Sequence, residues 1–328
     1  MRILVVGAGA SYAEALELKL PKDLQPPLMW NFASRLWAEY NPHDLMSLYL
    51  ASLGYDGGQD ARARFLELEA QPNSKVHIER FFAFAYSHRN LILPGREIYD
   101  PASEYDNLLL HGILNPLTCL LVEGLLRPSP DGCVDLPLTR RVASRLRAGD
   151  LVVNLNYDTV FETGAELSGH DLVFVPNTPR ADSLTVAKPH GSLNLFVDPA
   201  KGAFWFAKPY FAGGLQPSDG SRNYLGFVPP RFGKTYEQHP IAEVIFDAIR
   251  HLEPWVVTFW GIGLTDSDTD LLELFRAWAR RAAIEVINPD SVAAMRFSTL
   301  LGQPVAQFAS VSDWEEGRSA WTARLSAN

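Results

Sequence analysis

The sequence is poor in cysteine, poor in positive charge and free of any long uninterrupted apolar run. Its 328 residues include only two cysteines, Cys119 and Cys133, which excludes a disulfide framework and a four-cysteine zinc site. The 29 Lys and Arg residues are outnumbered by 38 Asp and Glu, so the formal net charge is −9. Without a concentrated basic tract, the chain is not predicted to bind nucleic acid. Hydrophobic residues make up 47% of the chain, which is typical of a globular protein whose core needs no covalent staples.

Two apolar segments fall short of export or membrane signals. The run that follows Met1 is broken by Gly7 and Gly9, which leaves too short an apolar region for a signal peptide. Residues 107–126 reach membrane-spanning length, but they include five residues that are costly in lipid: Asn107, His111, Asn115, Pro116 and Glu123. We interpret this segment as a buried helix, or as two helices broken at Pro116. The sequence therefore predicts a soluble cytoplasmic protein without a membrane contact.

The order of the elements predicts an α/β fold with a mostly parallel sheet, helices on both faces and a large, mainly helical insert. Arg2–Val6 is a short apolar run that ends in glycines, as buried parallel strands do. Apolar residues then recur at helical spacing through residues 26–147. Beyond this segment, apolar strands alternate with helices. We therefore expect a core of residues 1–25 and 148–328, with the insert at 26–147.

The pattern also makes more detailed predictions for the second half of the chain. The Gly-, Pro- and aromatic-rich stretch 198–236 predicts long loops with short strands. A short helix is expected from Ser291, a last strand at Gln307–Val311 and a terminal helix at Trp314–Leu325.

Ligands of open parallel sheets bind at the carboxyl ends of the strands, so the loops that follow the strands are the candidate sites. The first loop consists of small residues before a helix: Gly7, Ala8, Gly9, Ala10 and Ser11. Its backbone could approach a ligand closely, and the helix N–H groups could face a diphosphate. The third glycine of the dinucleotide fingerprint is replaced by Tyr12, and no acidic strand end follows about 20 residues later, so an ordinary nicotinamide dehydrogenase is not predicted. A tight turn that needs small residues accounts for the loop equally well.

Polar residues follow two further strands. Asn154, Asn156 and Asp158 stand at the end of an apolar strand, where a helix cap would need only one of them. His190 precedes Gly191 after another strand-like run and could act as a general base near neutral pH. A single histidine in such a place more often has a structural role.

The last two loops contain glycines, aspartates and an asparagine. Gly261 and Gly263 precede three aspartates at positions 266, 268 and 270 that imitate the start of a calcium loop. Leu271 and Ala277 occupy the places where that loop needs Gly and Glu, so the acidic residues are better explained as favouring the next helix N-terminus. Asn288, after an apolar strand, could hold a ribose or base, although Asn-Pro-Asp also favours a plain turn.

Taken in order, these five loops resemble the Sir2-like superfamily, specifically its bacterial branch of NAD-degrading domains used in phage defence. The motifs that carry the resemblance are GAGAS at 7–11, NYD at 156–158, HGS at 190–192, the glycine turn with aspartates at 261–270, and INPD at 287–290. Val228, Pro229, Pro230 and Lys234 are also similar to that branch. The resemblance covers residues 1–15 and 150–290 and implies that this core is Rossmann-like.

The resemblance implies a role for each loop. The substrate would be NAD, and residues 7–11 would bind its diphosphate. Asn156 and Asp158 would face the nicotinamide ribose and the carboxamide, and Tyr157 would also belong to the binding site. His190 would be the catalytic histidine. The adenosine side would lie against Gly261 and Gly263, and its ribose against Asn288. The resemblance further implies no metal, and control by oligomerisation or by a protein partner in trans.

NAD glycohydrolysis is the function that the sequence predicts, yielding nicotinamide and ADP-ribose or a cyclic form. Deacylating members of the superfamily have a four-cysteine zinc ribbon, which two cysteines cannot build, so NAD-dependent deacylation is the less favoured alternative. A second alternative is a module that senses a nucleotide without turnover. A third is a serine hydrolase, because Gly9 to Ala13 approximates a nucleophile elbow around Ser11, though at the wrong strand and without its last glycine.

Overall fold

The computed structural model describes most of the chain, namely residues 1–36, 43–57, 60–71, 74–88, 108, 110–130, 132–198, 203–208, 224–228, 240–264 and 268–317. Its strands are β1 (Arg2–Val6), β2 (Leu151–Asn154), β3 (Asp171–Phe174), β4 (Ser183–Ala187), β5 (Gly191–Asp198), β6 (Ala203–Phe206), β7 (Tyr224–Phe227), β8 (Val256–Trp260), β9 (Ala283–Ile287) and β10 (Ala306–Phe308). Its α-helices are α1 (Ala8–Glu17), α2 (Phe32–Leu36), α3 (His43–Ser52), α4 (Ala61–Glu69), α5 (Ile78–Ser87), α6 (Asn115–Glu123), α7 (Pro137–Ala143), α8 (Val160–Leu167), α9 (Pro240–Arg250), α10 (Thr269–Ala279) and α11 (Ser291–Leu301).

Seven strands form one sheet in the order β10-β9-β8-β1-β2-β4-β3, and every neighbouring pair is parallel. The predicted Rossmann-like α/β fold is confirmed. The chain builds outward from β1 through β2 to β4 and β3, and then returns to place β8 on the other side of β1. The carboxyl ends of β1 and β8 therefore flank the point where the strand order reverses, which is where open α/β sheets bind ligands.

Both faces of the sheet are buried under helices, which explains why its central strands are continuous apolar runs. Side chains of a strand alternate between the two faces. Ile3 and Val5 pack in one cluster with residues of α9, α10 and α11. Leu4 and Val6 pack in another with residues of α7 and α8 and with Trp314 of the helical segment 311–317.

The described regular elements between residues 26 and 147 are helical, as predicted for the insert. Helices α3 to α6 share a cluster with an aromatic centre in which Tyr49 and Phe81 meet edge to face at 5.5 Å. This cluster also contains Val160 and Leu193 from the core, and Tyr157 packs against it. Helix α7 instead packs on the sheet. The boundaries 1–25, 26–147 and 148–328 remain predictions.

Of the two interpretations of residues 107–126, a buried helix or two helices broken at Pro116, the structure favours the first where this segment is described. A π-helical turn at Leu110–Leu114 runs directly into α6, and Pro116 lies in the first turn of α6. Proline lacks an N–H group, and the first turn of an α-helix is where that loss costs least. No helix in the described ranges is long and apolar enough to cross a membrane.

The second half differs from the predicted pattern in three places. An eight-residue strand, β5, begins immediately after His190 and pairs with β6 and β7 in a separate antiparallel sheet. The helix expected to be short, α11, has 11 residues, because Asp290 caps its start and Gly302 ends it in the left-handed conformation. Strand β10 stops at Phe308, earlier than predicted, and residues 311–317 are helical; the expected continuation to Leu325 lies outside the described residues.

Candidate active site

The loops after β1 and β8 are in direct backbone contact. The Gly7 N–H donates to the Trp260 carbonyl at 3.0 Å, and the Gly9 N–H donates to the Gly261 carbonyl at 2.8 Å. A Cβ on Gly9 would lie 2.7 Å from that carbonyl oxygen, and one on Gly261 would lie 2.0 Å from the Ala10 nitrogen. Close packing between the two loops therefore accounts for these glycines. Gly263 is different, since it is exposed and no atom of the described residues lies within 4 Å of its Cβ position.

Helix α1 begins at Ala8, so its N-terminus faces the carboxyl edge of the sheet. The N–H groups of Gly9 and Ala10 are already bound, to the Gly261 and Gly7 carbonyls. Ala8 is exposed and Gly9 half-buried. This turn therefore offers a ligand fewer backbone donors than the motif alone suggests.

Ser11, Asn156 and Asp158 form one buried group. The Ser11 hydroxyl donates to Oδ2 of Asp158 at 2.9 Å and accepts from Nδ2 of Asn156 at 3.2 Å. Oδ1 of Asp158 accepts from the Val160 N–H at 3.0 Å, at the start of α8. Ser11 lies in α1, which follows β1, and Asn156 and Asp158 lie in the loop that follows β2; the carboxyl ends of these two neighbouring strands meet at the same sheet edge.

Burial raises the pKa of the Asp158 carboxyl above its ordinary value of 3.8, and the nearby Glu162 raises it further. Lys188, the Val160 N–H and the Ser11 hydroxyl act in the opposite direction. Desolvation is the largest of these influences, because it disfavours the charged form.

A second buried polar group lies behind the first. Nζ of Lys188 is fully buried and donates to the Asp158 carbonyl at 2.6 Å and to Oε1 of Glu162 at 3.0 Å. The same Oε1 accepts from Nδ2 of Asn154 at 2.8 Å. Oδ1 of Asn154 in turn accepts from the Asn156 N–H at 3.0 Å. Glu162 and Lys188 were not among the predicted site residues.

His190 is held by the loop that carries Asn156. Its Nδ1 lies 2.9 Å from the Leu155 carbonyl oxygen, and because a carbonyl can only accept, Nδ1 carries the proton. Nε2 lies 3.4 Å from Oδ2 of Asp268, the residue that precedes α10. The two side chains are 13% and 19% exposed, so the pair is partly open to solvent. From its place in the sequence, Asp268 is expected only to favour the helix N-terminus, and its contact with His190 is not predicted.

Tyr157 is turned away from the Ser11 group. Its hydroxyl donates to the Val228 carbonyl at 3.0 Å, and its ring lies 6.2 Å from that of His190. Burial raises the pKa of the phenol well above its ordinary value, and the negative charges of Asp268 and Glu79 raise it further. Glu79 belongs to α5, so the insert contributes to the surroundings of this loop. Pro229, Pro230 and Lys234 lie outside the described residues.

Asn288 lies at the end of β9, against the β8 loop. Its Nδ2 donates to the Ile262 carbonyl at 3.3 Å, and its Oδ1 accepts from the Asp290 N–H at 2.9 Å. Asp290 then caps α11 through the Val292 N–H. The contacts with Asp290 are those of the turn that the Asn-Pro-Asp sequence favours, whereas the bond to Ile262 ties this turn to the loop after β8. Asn288 remains half-exposed.

The structure thus brings Ser11, Asn156 and Asp158 together and attaches His190 to the same loop. The remaining predicted residues lie along the same sheet edge, in the turns after β1, β2, β8 and β9: Gly7, Ala8, Gly9, Ala10, Tyr157, Gly261, Gly263 and Asn288. Asp266, among the predicted acidic residues, is outside the described residues.

The surroundings of Ser11 and of the two cysteines bear on the alternative functions, a serine hydrolase and a deacylase. Ser11 is 3% exposed and bonds to a carboxylate and an amide, whereas a serine nucleophile needs exposure and a histidine base. Cys119 and Cys133 are both exposed, and neither forms a disulfide. Within the described ranges, no three His, Cys, Asp or Glu side chains are grouped so that they could hold a metal ion.

No protein-family model and no curated protein matches the sequence. Among solved structures, the chain is similar to a Sir2 homologue in complex with NAD, at 14% identity and a TM-score of 0.43, over 97% of this chain and 90% of the other. It is similar to a mutant Sir2 homologue in complex with ADP-ribose, at 16% identity and a TM-score of 0.43, over 100% and 94%. A structure from a study of the mechanism and regulation of Sir2 enzymes matches at 12% identity and a TM-score of 0.36, over 97% and 93%.

Proposed function

We propose that this protein binds NAD at the carboxyl edge of the sheet and hydrolyses the bond between nicotinamide and ribose. The observation that carries the proposal is the convergence of Ser11, Asn156 and Asp158 in one hydrogen-bonded group, with His190 fixed to the same loop. These residues belong to the motifs on which the resemblance to Sir2-like NAD-degrading domains rests. A role in phage defence is part of the proposal on that resemblance alone.

His190 would act as the general base through Nε2, because its Nδ1 proton is committed to the Leu155 carbonyl. Asn156 would orient a water molecule with its side-chain amide. As the oxygen of the water bonds to the anomeric carbon, the carbon–nitrogen bond breaks and its electron pair leaves with nicotinamide. Nε2 accepts the proton of the water. Nicotinamide departs as a neutral molecule from a pyridinium, so the site needs no strong general acid; it must stabilise the oxocarbenium-like transition state.

Asp158 would hold Ser11 and the Asn156 loop in position rather than exchange protons with the substrate. It is 6% exposed, and its two carboxylate oxygens accept from Ser11 and from the Val160 N–H. The diphosphate would lie at the exposed start of α1, around Ala8. A cyclic product would form when a group of the substrate itself attacks in place of water.

The adenosine half of NAD would lie against the loops after β8 and β9. Gly263 in the first loop is accessible, whereas the Asn288 side chain in the second already makes hydrogen bonds within the protein. No atom of the described part of the chain lies within 4 Å of the Cβ position of Gly263, so a ligand could approach its backbone closely. The Asn288 side chain is half-exposed and already makes two hydrogen bonds, one within its turn and one to the Ile262 carbonyl. Contact with a ribose would therefore use its remaining hydrogen-bonding capacity.

A module that senses NAD without turnover is the second candidate function, and two contacts favour it. Nε2 of His190 faces Asp268 at 3.4 Å, and the Asn156 amide is bonded to Ser11. Both groups proposed for catalysis are therefore engaged within the protein. For hydrolysis, substrate must take the place of these contacts.

The two candidates separate in an assay of purified protein with NAD, in which nicotinamide release is followed by chromatography. We expect release by the unsubstituted protein, at least when the protein is concentrated to favour oligomers, and strongly reduced release by Asn156→Ala. NAD binding without release under either condition supports the sensor. An acetyl-lysine peptide in parallel reactions tests deacylation, which would be established by NAD-dependent loss of the acetyl group.

A further inference from the structure

The buried ion pair between Lys188 and Glu162 has no part in the proposed chemistry, although it lies directly behind the residues that do. Both side chains are fully buried, and they join at 3.0 Å. Charged groups are costly to bury, and replacing such a pair by apolar residues often leaves stability unchanged. A fully buried pair at this position therefore calls for an explanation beyond stability.

The contacts of the pair lead to the proposed catalytic loop from both sides. Nζ of Lys188 donates to the Asp158 carbonyl at 2.6 Å. Glu162 accepts from Asn154, and Asn154 accepts from the Asn156 N–H at 3.0 Å. The segment from Asn154 to Asp158 is thus held at its beginning through Glu162 and at its end by Lys188.

The same pair links this loop to the one that carries His190. Lys188 lies two positions before His190, directly after β4, and its carbonyl accepts from the Gly191 N–H at 3.0 Å in the turn between them. Gly191 has a φ of +78°, a conformation that other residues rarely adopt. One end of the pair therefore belongs to the histidine turn, and the other belongs to α8, which follows the Asn156 loop.

We propose that Lys188 and Glu162 are positioning residues, whose buried ion pair fixes the Asn156–Asp158 loop relative to His190. The inference rests on the proposed function for its kinetic consequence, but not for its structural one. Small displacements of reacting groups are expensive: about 1 Å can cost about a hundredfold in rate. We therefore expect loss of the pair to lower kcat more than it weakens NAD binding.

The charges also act on Asp158, which gives a readout of the pair that does not depend on any assay of activity. Burial has the largest effect on the pKa of the Asp158 carboxyl and raises it, and Glu162 raises it further. Lys188 lowers this pKa, as do the hydrogen bonds from the Val160 N–H and the Ser11 hydroxyl. Removing each charge alone should therefore shift this pKa in opposite directions.

The first experiment compares two single variants in the full chain. Glu162→Gln keeps an oxygen that can accept from Asn154 and Lys188, and should lower the pKa of Asp158. Lys188→Met should raise it. Carboxyl NMR of protein labelled at aspartate, with Asp158→Asn to assign the signal, measures both pKa values without any assay of activity.

The double variant Lys188→Met with Glu162→Leu keeps the inference testable if a single variant fails to fold. We expect it to fold, to bind NAD within about threefold of the unsubstituted protein, and to lose about tenfold or more in kcat. The matched control is Glu285→Gln. Glu285 is another fully buried carboxylate; it lies in β9, three strands from β2 in the sheet, and accepts from the side chains of Thr258 and Trp314. The control should keep its kcat.

Three results overturn the inference: both pKa shifts in one direction, pKa values that do not move, or a folded double variant with unchanged kcat. If the unsubstituted protein binds NAD but releases no nicotinamide, the proposed hydrolysis is refuted instead. The two pKa shifts then still test the structural part of the inference, which is the placement of both charges beside Asp158.

Discussion

Substitution of Gly261 by alanine tests whether the two loops at the centre of the sheet edge are packed as described. Gly261 has a φ of +66°, and its Cβ position lies 2.0 Å from the Ala10 nitrogen and 2.4 Å from the Gly9 carbonyl carbon. An alanine at this position would destabilise the folded protein by about 1–2 kcal/mol, because it would have to adopt the left-handed conformation. It must also push apart two backbones, which costs about 1–3 kcal/mol in overpacked sites, and weaken the Gly9–Gly261 hydrogen bond, worth about 1 kcal/mol. We expect the free energy of unfolding to fall by about 3–6 kcal/mol.

Two other glycines separate these causes. Gly302 has a φ of +71° with nothing within 4 Å of its Cβ position, so Gly302→Ala should cost only the conformational strain, about 1–2 kcal/mol. Gly263 has open space and no such φ, so Gly263→Ala should change stability by less than about 0.5 kcal/mol. If Gly263 faces the ligand as proposed, the same variant should weaken NAD binding.

Urea unfolding followed by circular dichroism measures all three variants, with the slope of the transition checked for constancy. The order of destabilisation should be Gly261→Ala, then Gly302→Ala, then Gly263→Ala. If Gly261→Ala is no less stable than Gly302→Ala, the loops after β1 and β8 are not in contact, and the geometry of the candidate site is wrong.

Two further predictions concern buried carboxylates. The Glu14 carboxylate accepts from the Leu138 N–H and from the N–H and hydroxyl of Thr139 at 2.5–3.0 Å, at the start of α7. Glu14→Gln should therefore lower the free energy of unfolding by about 1.5–3 kcal/mol. An unchanged urea midpoint would show that α7 does not depend on these hydrogen bonds. Burial raises the pKa of Asp158 above 3.8, so its contribution to stability is greatest at pH values below 3.8 and is lost as the pH rises through the raised pKa. The unfolding free energy of the unsubstituted protein minus that of Asp158→Asn should therefore fall as the pH is raised from about 4 to 7, and a difference that stays level or rises contradicts the desolvated environment.

The strands of the parallel sheet could be predicted because both of their faces are buried. Arg2–Val6 and Leu151–Asn154 are almost wholly apolar, and the polar residues that follow them stand where the strands end. The carboxyl-edge rule then suffices to place Ser11 and Asp158 near one another.

Strand β5 could not be predicted from apolar alternation, because polar side chains are buried within it. Ser192 and Asn194 are fully buried and are satisfied by each other and by the Tyr157 and Ala207 carbonyls. Ala207 and Tyr157, which supply these carbonyls, lie in other segments of the chain. The local sequence therefore does not show that these polar side chains find hydrogen-bond partners when they are buried.

The supporting charges were missed for a related reason. Glu162 lies in α8 and would be assigned to a solvated helix face, yet α8 is buried on nearly all sides and its carboxylate meets Lys188 from β4. Asp268 was correctly placed before α10, but its contact with His190 depends on how the β4 and β8 loops fold toward each other. Such pairings follow from the tertiary structure rather than from the spacing of residues along the chain.

The most direct test of the proposed active site is a paired measurement of NAD binding and nicotinamide release on His190→Ala, with His170→Ala as control. His170 is partly buried and bonds a backbone carbonyl, that of Ala143, as His190 bonds that of Leu155, but it lies between α8 and β3. If Nε2 of His190 is the general base, its loss should reduce the rate of release about 10²–10⁴-fold with little change in the Kd for NAD, and the control should keep both. Release that survives His190→Ala at the unsubstituted rate would contradict the central claim.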